Sequence, residues 1–193
     1  MTPLKQILSN LHTATPSSVE LLASLFVPVS FKKGMILPMP DHSFPILYLI
    51  GHGLLRGYFE HEAEEHTSWI MEEGFLLPLG GFFINQPGTE QVEFLADTKG
   101  WSLNLAKAEI MALKEPLMYR MIVEIYEKKL LEARTIEYML RLKKAQDRIV
   151  FIQKLKENMI YRGLNRHVAS FLNVGDKYLF SMKKTDRGKR QDR

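Results

Sequence analysis

Eight short apolar runs between residues 27 and 106 leave this chain few folds to choose from. They are residues 29–31, 35–37, 46–50, 54–59, 67–71, 75–77, 92–95 and 101–105, each broken from the next by Gly, Pro, Asp or charge clusters. Many short strands at such spacing predict an antiparallel sandwich or barrel-like roll. Gly51-His52-Gly53 is expected to turn a hairpin, because glycines supply positive φ. Ahead of this block, residues 4–11 and 17–26 read as two short amphipathic helices. Ser17 stands three residues before Glu20, a capping-box spacing.

After residue 105 the period becomes helical. Residues 106–114 predict a short helix that stops before Pro116. Residues 117–143 then contain neither Gly nor Pro. Their apolar positions include Met118, Met121, Ile122, Ile125, Leu130, Leu131, Ile136, Met139 and Leu140. Such a face is too apolar and too long for a lone surface helix. It either packs on the roll or pairs with its copy in a second subunit. Residues 145–157 form another helix, with Ile149, Ile152 and Leu155 inward, and residues 158–163 are expected to be a loop.

Residues 164–184 contain two short helical patterns around a tight break. Val168, Phe171 and Leu172 make the apolar face of the first. Asn173, Val174 and Gly175 break the period. The second has Leu179 and Met182 inward and Lys177, Tyr178, Ser181 and Lys184 outward. Gly175 suits an N-cap, and Asp176 suits the positive end of the helix dipole. Two readings fit: a helix-turn-helix whose second helix enters a DNA major groove, or an ordinary pair of packed helices.

Charge favours the first reading. Residues 1–140 carry 11 Lys+Arg against 17 Asp+Glu, a balance of −6, whereas residues 141–193 carry 15 against 5, a balance of +10. A basic end on an acidic body is the footprint of a polyanion binder. Residues 183–193 are partly a solvated tail, but Arg141, Lys143, Lys144, Arg148, Lys154, Lys156, Arg162 and Arg166 precede it.

The 193 residues suffice for one large or two small cored domains. With 46% hydrophobic and 25% charged residues the composition is that of a soluble globular protein. The absence of cysteine excludes disulfides and thiolate metal sites. No apolar run approaches the ~20 residues needed to span a bilayer, and no signal-peptide pattern is present. A cytoplasmic protein without a membrane partner is expected.

The order of roll, long helix and basic helical module resembles the catabolite-activator and fumarate-nitrate-reductase regulator family (Crp/Fnr) over essentially the whole chain. The matching features are Phe31-Lys32-Lys33-Gly34 leading into the roll, and Leu47-Tyr48-Leu49-Ile50 followed by Gly53-Leu54-Leu55-Arg56. Glu73-Gly74-Phe75, residues 87–98 and the run from His167 to Val174 complete them. The chain looks most like the compact members of the family. The resemblance implies an α+β fold: an N-terminal antiparallel β-roll of the cyclic-nucleotide-binding type over residues 1–115, a long dimerisation helix over 116–143, and a helix-turn-helix domain with a basic tail over 144–193. It further implies a bacterial transcription regulator, not an enzyme, that binds double-stranded DNA as a homodimer under a small-molecule effector.

In cyclic-nucleotide-binding members, a Gly-Glu pair holds the ribose and an Arg-Ser/Thr-Ala run caps the phosphate. On this chain those positions fall at Gly80-Gly81 and Gly88-Thr89-Glu90. Glycine stands where the arginine should be, and a carboxylate near a cyclic phosphate repels it. The degenerate pocket (Gly80, Gly81, Gly88, Thr89, Trp69) is therefore expected to bind neither cyclic AMP nor cyclic GMP. A cavity lined by Trp69, Phe82 and Phe83 either holds another small molecule or is filled by its own side chains. In the DNA reader, the family's base-reading positions fall on Asp176, Lys177 and Ser181, without the usual arginine. Lys177 can still read guanine, while Arg166, Tyr178, Lys183 and Lys184 suit phosphates. Two readings stay open, altered specificity or a reader that no longer reads.

His52, His61 and His66 with the glutamates of residues 60–65 raise a third class, a cupin-like metalloenzyme. Residues 60–66 read instead as one polar hairpin tip, so neither a metal nor a cofactor is expected. Gly80-Gly81 has no basic partner to make a phosphate loop.

Overall fold

The computed structural model describes residues 3–37, 45–156 and 159–191, with side chains through residue 184. Two helices come first, α1 (Pro3–Ser9) and α2 (Pro16–Leu25). The capping box of α2 is Thr15 with Ser18, not Ser17 with Glu20. Ser18 N donates to the Thr15 hydroxyl oxygen at 3.2 Å, and Thr15 N to the Ser18 hydroxyl oxygen at 2.9 Å. Pro16 then takes the first helical position, where its missing N–H costs nothing.

Each of the eight apolar runs meets a strand, give or take one residue at an end: β1 (Phe26–Phe31), β2 (Ile36–Leu37), β3 (Ile46–His52), β4 (Leu55–His61), β5 (Glu64–Met71), β6 (Gly74–Leu76), β7 (Gln91–Phe94) and β8 (Thr98–Asn104). They form two four-stranded antiparallel sheets, ordered β1-β8-β3-β6 and β2-β7-β4-β5. The hairpin expected at Gly51-His52-Gly53 is absent, because β3 and β4 belong to different sheets. The chain crosses between sheets there, and a Cβ on Gly53 would collide with the Thr98 side chain. The hairpin lies instead at the polar tip, where Glu62 and Ala63 turn β4 into β5 with φ of 52° and 65°.

The helices that follow are α3 (Leu105–Ala112), α4 (Pro116–Leu140), α5 (Ala145–Leu155), α6 (Met159–Arg162), α7 (Asn165–Leu172) and α8 (Asp176–Gln191). The long helix ends three residues before the expected 143. The loop expected over 158–163 is a helical turn from Met159, whose Met159 and Ile160 are buried; residue 158 lies outside the described residues. Of the basic tail, residues 192–193 and the side chains from 185 on also lie outside them.

Three cores result. Phe31, Tyr48, Ile50, Leu55, Val92 and Phe94 fill the roll, with Phe31 and Phe94 stacked at 4.2 Å. A second core joins α1, α2, β3 and β8 to Met118, Met121, Ile122 and Ile125 of α4. The third gathers α5–α8 around Met139 of α4, together with Leu54 and Ile70 of the roll. One helix therefore serves two cores.

Glu124 anchors the first half of that helix. Its buried carboxylate accepts from His12 N, Thr13 N and the Thr13 hydroxyl, each at 2.9 Å, and from Lys128 Nζ at 2.7 Å. Burial alone would raise its pKa; the four donors outweigh burial and hold it at about 2, against 4.5 for a free carboxyl. The native state therefore binds this proton less readily than the unfolded chain. The stability it contributes is complete above about pH 4.5 and is lost as pH falls toward about 2. Glu124→Ala should cost about 1–3 kcal/mol in urea titrations at pH 7, by leaving buried donors unpaired. The same substitution should flatten the pH dependence below 4.5.

Candidate DNA-binding surface and junction cavity

The helix-turn-helix geometry at the C-terminus is built by local chemistry. Asn173 closes α7 in the left-handed region (φ 51°), where a short polar side chain is tolerated. Val174 N donates back to Ala169 O at 3.0 Å, and Leu179 N to Gly175 O at 3.0 Å opens α8. The turn is held from outside by Arg148 of α5. Its Nε donates to Leu172 O at 2.8 Å and a terminal nitrogen donates to Asn173 O at 2.8 Å. The other terminal nitrogen donates to Leu142 O at 2.6 Å. Arg148, one of the cations counted toward a basic surface, is thus buried as a clamp between the α4–α5 connection and the turn.

On α8, Asp176, Lys177, Tyr178, Phe180, Ser181 and Lys184 are exposed, while Leu179 is fully buried. Lys183, expected among the phosphate contacts, differs. It is buried and its Nζ donates to Asn165 Oδ1 of α7 at 2.7 Å, so it ties the two helices together. Arg166 is exposed on α7, next to His167. Lys177, Tyr178, Ser181, Lys184 and Arg166 therefore remain on the accessible surface, with Phe180 among them at 60% exposure.

The other side of α7 rests on the outer face of the β2-β7-β4-β5 sheet. Thr67 N of β5 donates to the Ser170 hydroxyl oxygen at 2.9 Å. Beneath lies Arg56, which sequence reading used only as part of a strand. It is buried, donates to Glu93 at 2.7 Å, to the Thr67 hydroxyl oxygen at 3.2 Å and to Glu65, and sits 4.4 Å from the Tyr58 ring centroid. Only its alternation with inward Leu55 hinted at this placement. His167 is buried over the cluster. Burial first, then the Arg56 and Arg166 guanidiniums, push its pKa below the usual 6.5, against the weaker pull of Glu93 and Glu65.

Of the residues expected to form a degenerate nucleotide pocket, Trp69 lines a cavity together with Leu79 and Glu90, the neighbours of Gly80 and Thr89. Gly81 pairs with Gln86 in a tight turn of its own, Gly88 is buried, and Thr89 is exposed. Glu90 accepts from Trp69 Nε1 at 2.7 Å, and the Trp69 indole covers Gly57, where any Cβ would collide with it. Phe82 packs into the second core and Phe83 is exposed, so neither lines a cavity with Trp69.

The cavity beside Trp69, of about 430 Å³, lies at the edge of the roll, where it reaches the core residues Met71 and Leu76. Its walls are the edge strands β5 and β6, the second half of α4, and Ile152, Met159 and Phe171 from α5–α7. At one side Lys129 and Lys156 both donate to Glu132. Burial opposes ionisation of Glu132, but the two ammonium groups prevail and hold its pKa at about 2.

A roll, a long helix and a helix-turn-helix unit packed on the roll define this as an α+β protein of cyclic-nucleotide-binding-like fold. No protein-family model matches the chain, and no curated protein matches it in sequence. Solved structures do. FixK2 from Bradyrhizobium japonicum superposes with a TM-score of 0.71 at 14% identity, over 85% of each chain. The cyclic-di-GMP-responsive regulator CLP of Xanthomonas campestris gives 0.65 at 13% identity, over 91% of this chain and 93% of its own. A protein from Eubacterium rectale, described as a regulator of the Crp/Fnr family, gives 0.62 at 15%, over 91% and 85%. The fold is the Crp/Fnr-like fold. Among the described residues, no helix is long and apolar enough to cross a membrane.

Two outcomes follow from the buried polar groups. Arg148→Lys loses the fork that reaches several carbonyls at once and should destabilise the C-terminal helices by about 1–3 kcal/mol in chemical denaturation. Because His167 resists protonation in the folded state, its contribution is complete above about pH 6.5 and is lost as pH falls below it. The melting temperature of the protein should fall between about pH 7 and pH 5.5, and His167→Asn should make that decline shallower.

Proposed function

We propose that this chain is a transcription regulator of the Crp/Fnr type, cytoplasmic and non-enzymatic, that binds duplex DNA as a homodimer. In this reading residues 1–115 sense, 116–143 dimerise and 144–193 bind DNA. The observation that carries it is the exposed face of α8, where Lys177, Tyr178, Ser181 and Lys184 lie outward, with Arg166 exposed on α7. Lys177 reads a base edge, and Lys184 and Arg166 hold phosphates, which position the helix without specifying sequence.

The dimer is supported by an apolar stripe on α4, where Val123, Leu130, Leu131 and Tyr138 are 46–61% exposed at near-heptad spacing. Pairing two such helices places two readers on one DNA face, as half-sites about one turn (~34 Å) apart require. Cyclic AMP and cyclic GMP are not the effectors: the expected phosphate position offers Glu90, already held by Trp69, and no cation. A second reading, an effector-binding dimer that no longer reads DNA, is favoured by Phe180 on α8 and by the engagement of Lys183 with Asn165.

Selection from a random duplex pool, followed by fluorescence anisotropy over a salt series, separates the two. Enrichment of a pseudo-palindrome is expected. Lys177→Ala should then relax one base position, losing about 1–3 kcal/mol of discrimination. Lys184→Ala should weaken all sequences alike and reduce the salt slope by about one. Binding that is absent, or sequence-blind and erased by salt, establishes the second reading.

A further inference from the structure

The cavity between the roll and the C-terminal helices carries chemistry that the expected nucleotide site lacks. Its volume of about 430 Å³ is that of a small-molecule site, and its deeper walls are Ile70, Met71, Phe75, Ile152, Met159 and Phe171. Every charged side chain lining it is already engaged. Lys129 and Lys156 share Glu132, Glu137 pairs with Arg141, and Glu90 accepts from Trp69. With Arg141 included, the formal charges of this set cancel. Two ammonium groups on the one Glu132 carboxylate leave a positive charge there, and Glu90 on Trp69 leaves a negative one. A charged ligand of either sign would therefore leave water and meet a like charge on the same walls, which is costly in so apolar a setting. An uncharged apolar ligand gains from burial and disturbs none of these pairs.

Dimerisation does not fill the space. Along α4 the cavity side is Lys129, Glu132, Ala133, Ile136, Glu137 and Leu140, whereas the exposed stripe is Val123, Leu130, Leu131 and Tyr138. At about 100° per residue the two sets are centred roughly 140° apart around the helix. A partner helix on the stripe leaves the cavity open.

We propose that this cavity binds an uncharged, largely apolar small molecule, and that its occupancy holds helices α5–α7 against the roll. The proposal deepens the regulator reading and rests on it for its biological sense: the ligand is the effector, and its walls belong to both the sensing and the DNA-binding parts. Because one ligand touches both parts, it favours the docked arrangement over any in which they separate.

The test uses the full chain and the neutral fluorophore N-phenyl-1-naphthylamine. Saturable binding at one site per chain is expected, with the anionic analogue 8-anilino-1-naphthalenesulfonate at least tenfold weaker. Ala133→Trp, at an exposed position on the cavity rim, should lower affinity for the neutral probe at least tenfold while leaving the melting curve intact. If that variant misfolds, competition by unlabelled naphthalene against the wild type reads the same site. Trypsin cleavage at Arg141, Lys143 and Lys144, in the connection between α4 and α5, should slow at least threefold when the cavity is filled. No saturable binding, equal affinity for the anion, or unchanged binding by Ala133→Trp overturns the site. Binding without protection of residues 141–144 overturns the locking role. DNA selection reports separately: a palindrome without probe binding leaves the regulator reading standing, and probe binding without DNA binding removes that reading alone.

Discussion

An unbroken helix shared by two cores is the constraint on which the rest of the structure depends. Helix α4 runs 25 residues from Pro116 to Leu140, about 37 Å at 1.5 Å per residue. Its first half is buried against the N-terminal helices and the β1-β8-β3-β6 sheet, and its second half enters the core formed by α5–α8. A helix this long is stiff, so seating one half fixes the direction of the other. Glu124 sets the first half by receiving the backbone N–H groups of His12 and Thr13, more than a hundred residues away in sequence. A surface helix of this composition would gain little by ordering; the burial of Met118, Met121, Ile125 and Met139 makes its length worthwhile.

The second junction differs in character. Where α7 meets the outer face of the roll, the centre is polar: Arg56 between Glu65 and Glu93, Thr67 against Ser170, and a neutral His167 above them. Apolar contact through Leu54 and Ile70 lies to one side. A buried ion cluster offsets much of its Coulomb gain by desolvation, so such an interface specifies an arrangement more than it strengthens one. The apolar junction at α4 and the polar junction at α7 together hold the C-terminal helices in register while leaving one contact sensitive to protonation.

Much of this architecture is legible along the chain. The eight runs are strands because a residue that alternates between core and solvent leaves a two-residue period, and glycine, proline or charge must interrupt it at each turn. The long helix and the α7–α8 pair are legible for the same reason, through a 3.6-residue period and its break at 173–175. Connectivity is less so. Gly51-His52-Gly53 looks like a hairpin, yet it carries the chain between sheets, because the pairing of β3 with β8 is decided fifty residues later. The candidate site was half legible: the outward face of α8 follows from its period, whereas Lys183 is buried by Asn165 across the turn. Trp69 does line a cavity, but that cavity draws its walls from six elements that no local pattern brings together.

The sequence by itself determined most of the strand and helix segments, and that a basic end follows an acidic body. These are local facts, written in period, punctuation and residue type. Only the tertiary structure decided which charges face solvent. Arg56 is paired with Glu93 and Arg148 with the carbonyls of Leu172 and Asn173, while Lys177 and Lys184 are left outward. The reason is physical. A cation's role depends on the acceptors around it, and in a packed chain those acceptors come from residues tens of positions away, brought near only when the cores close.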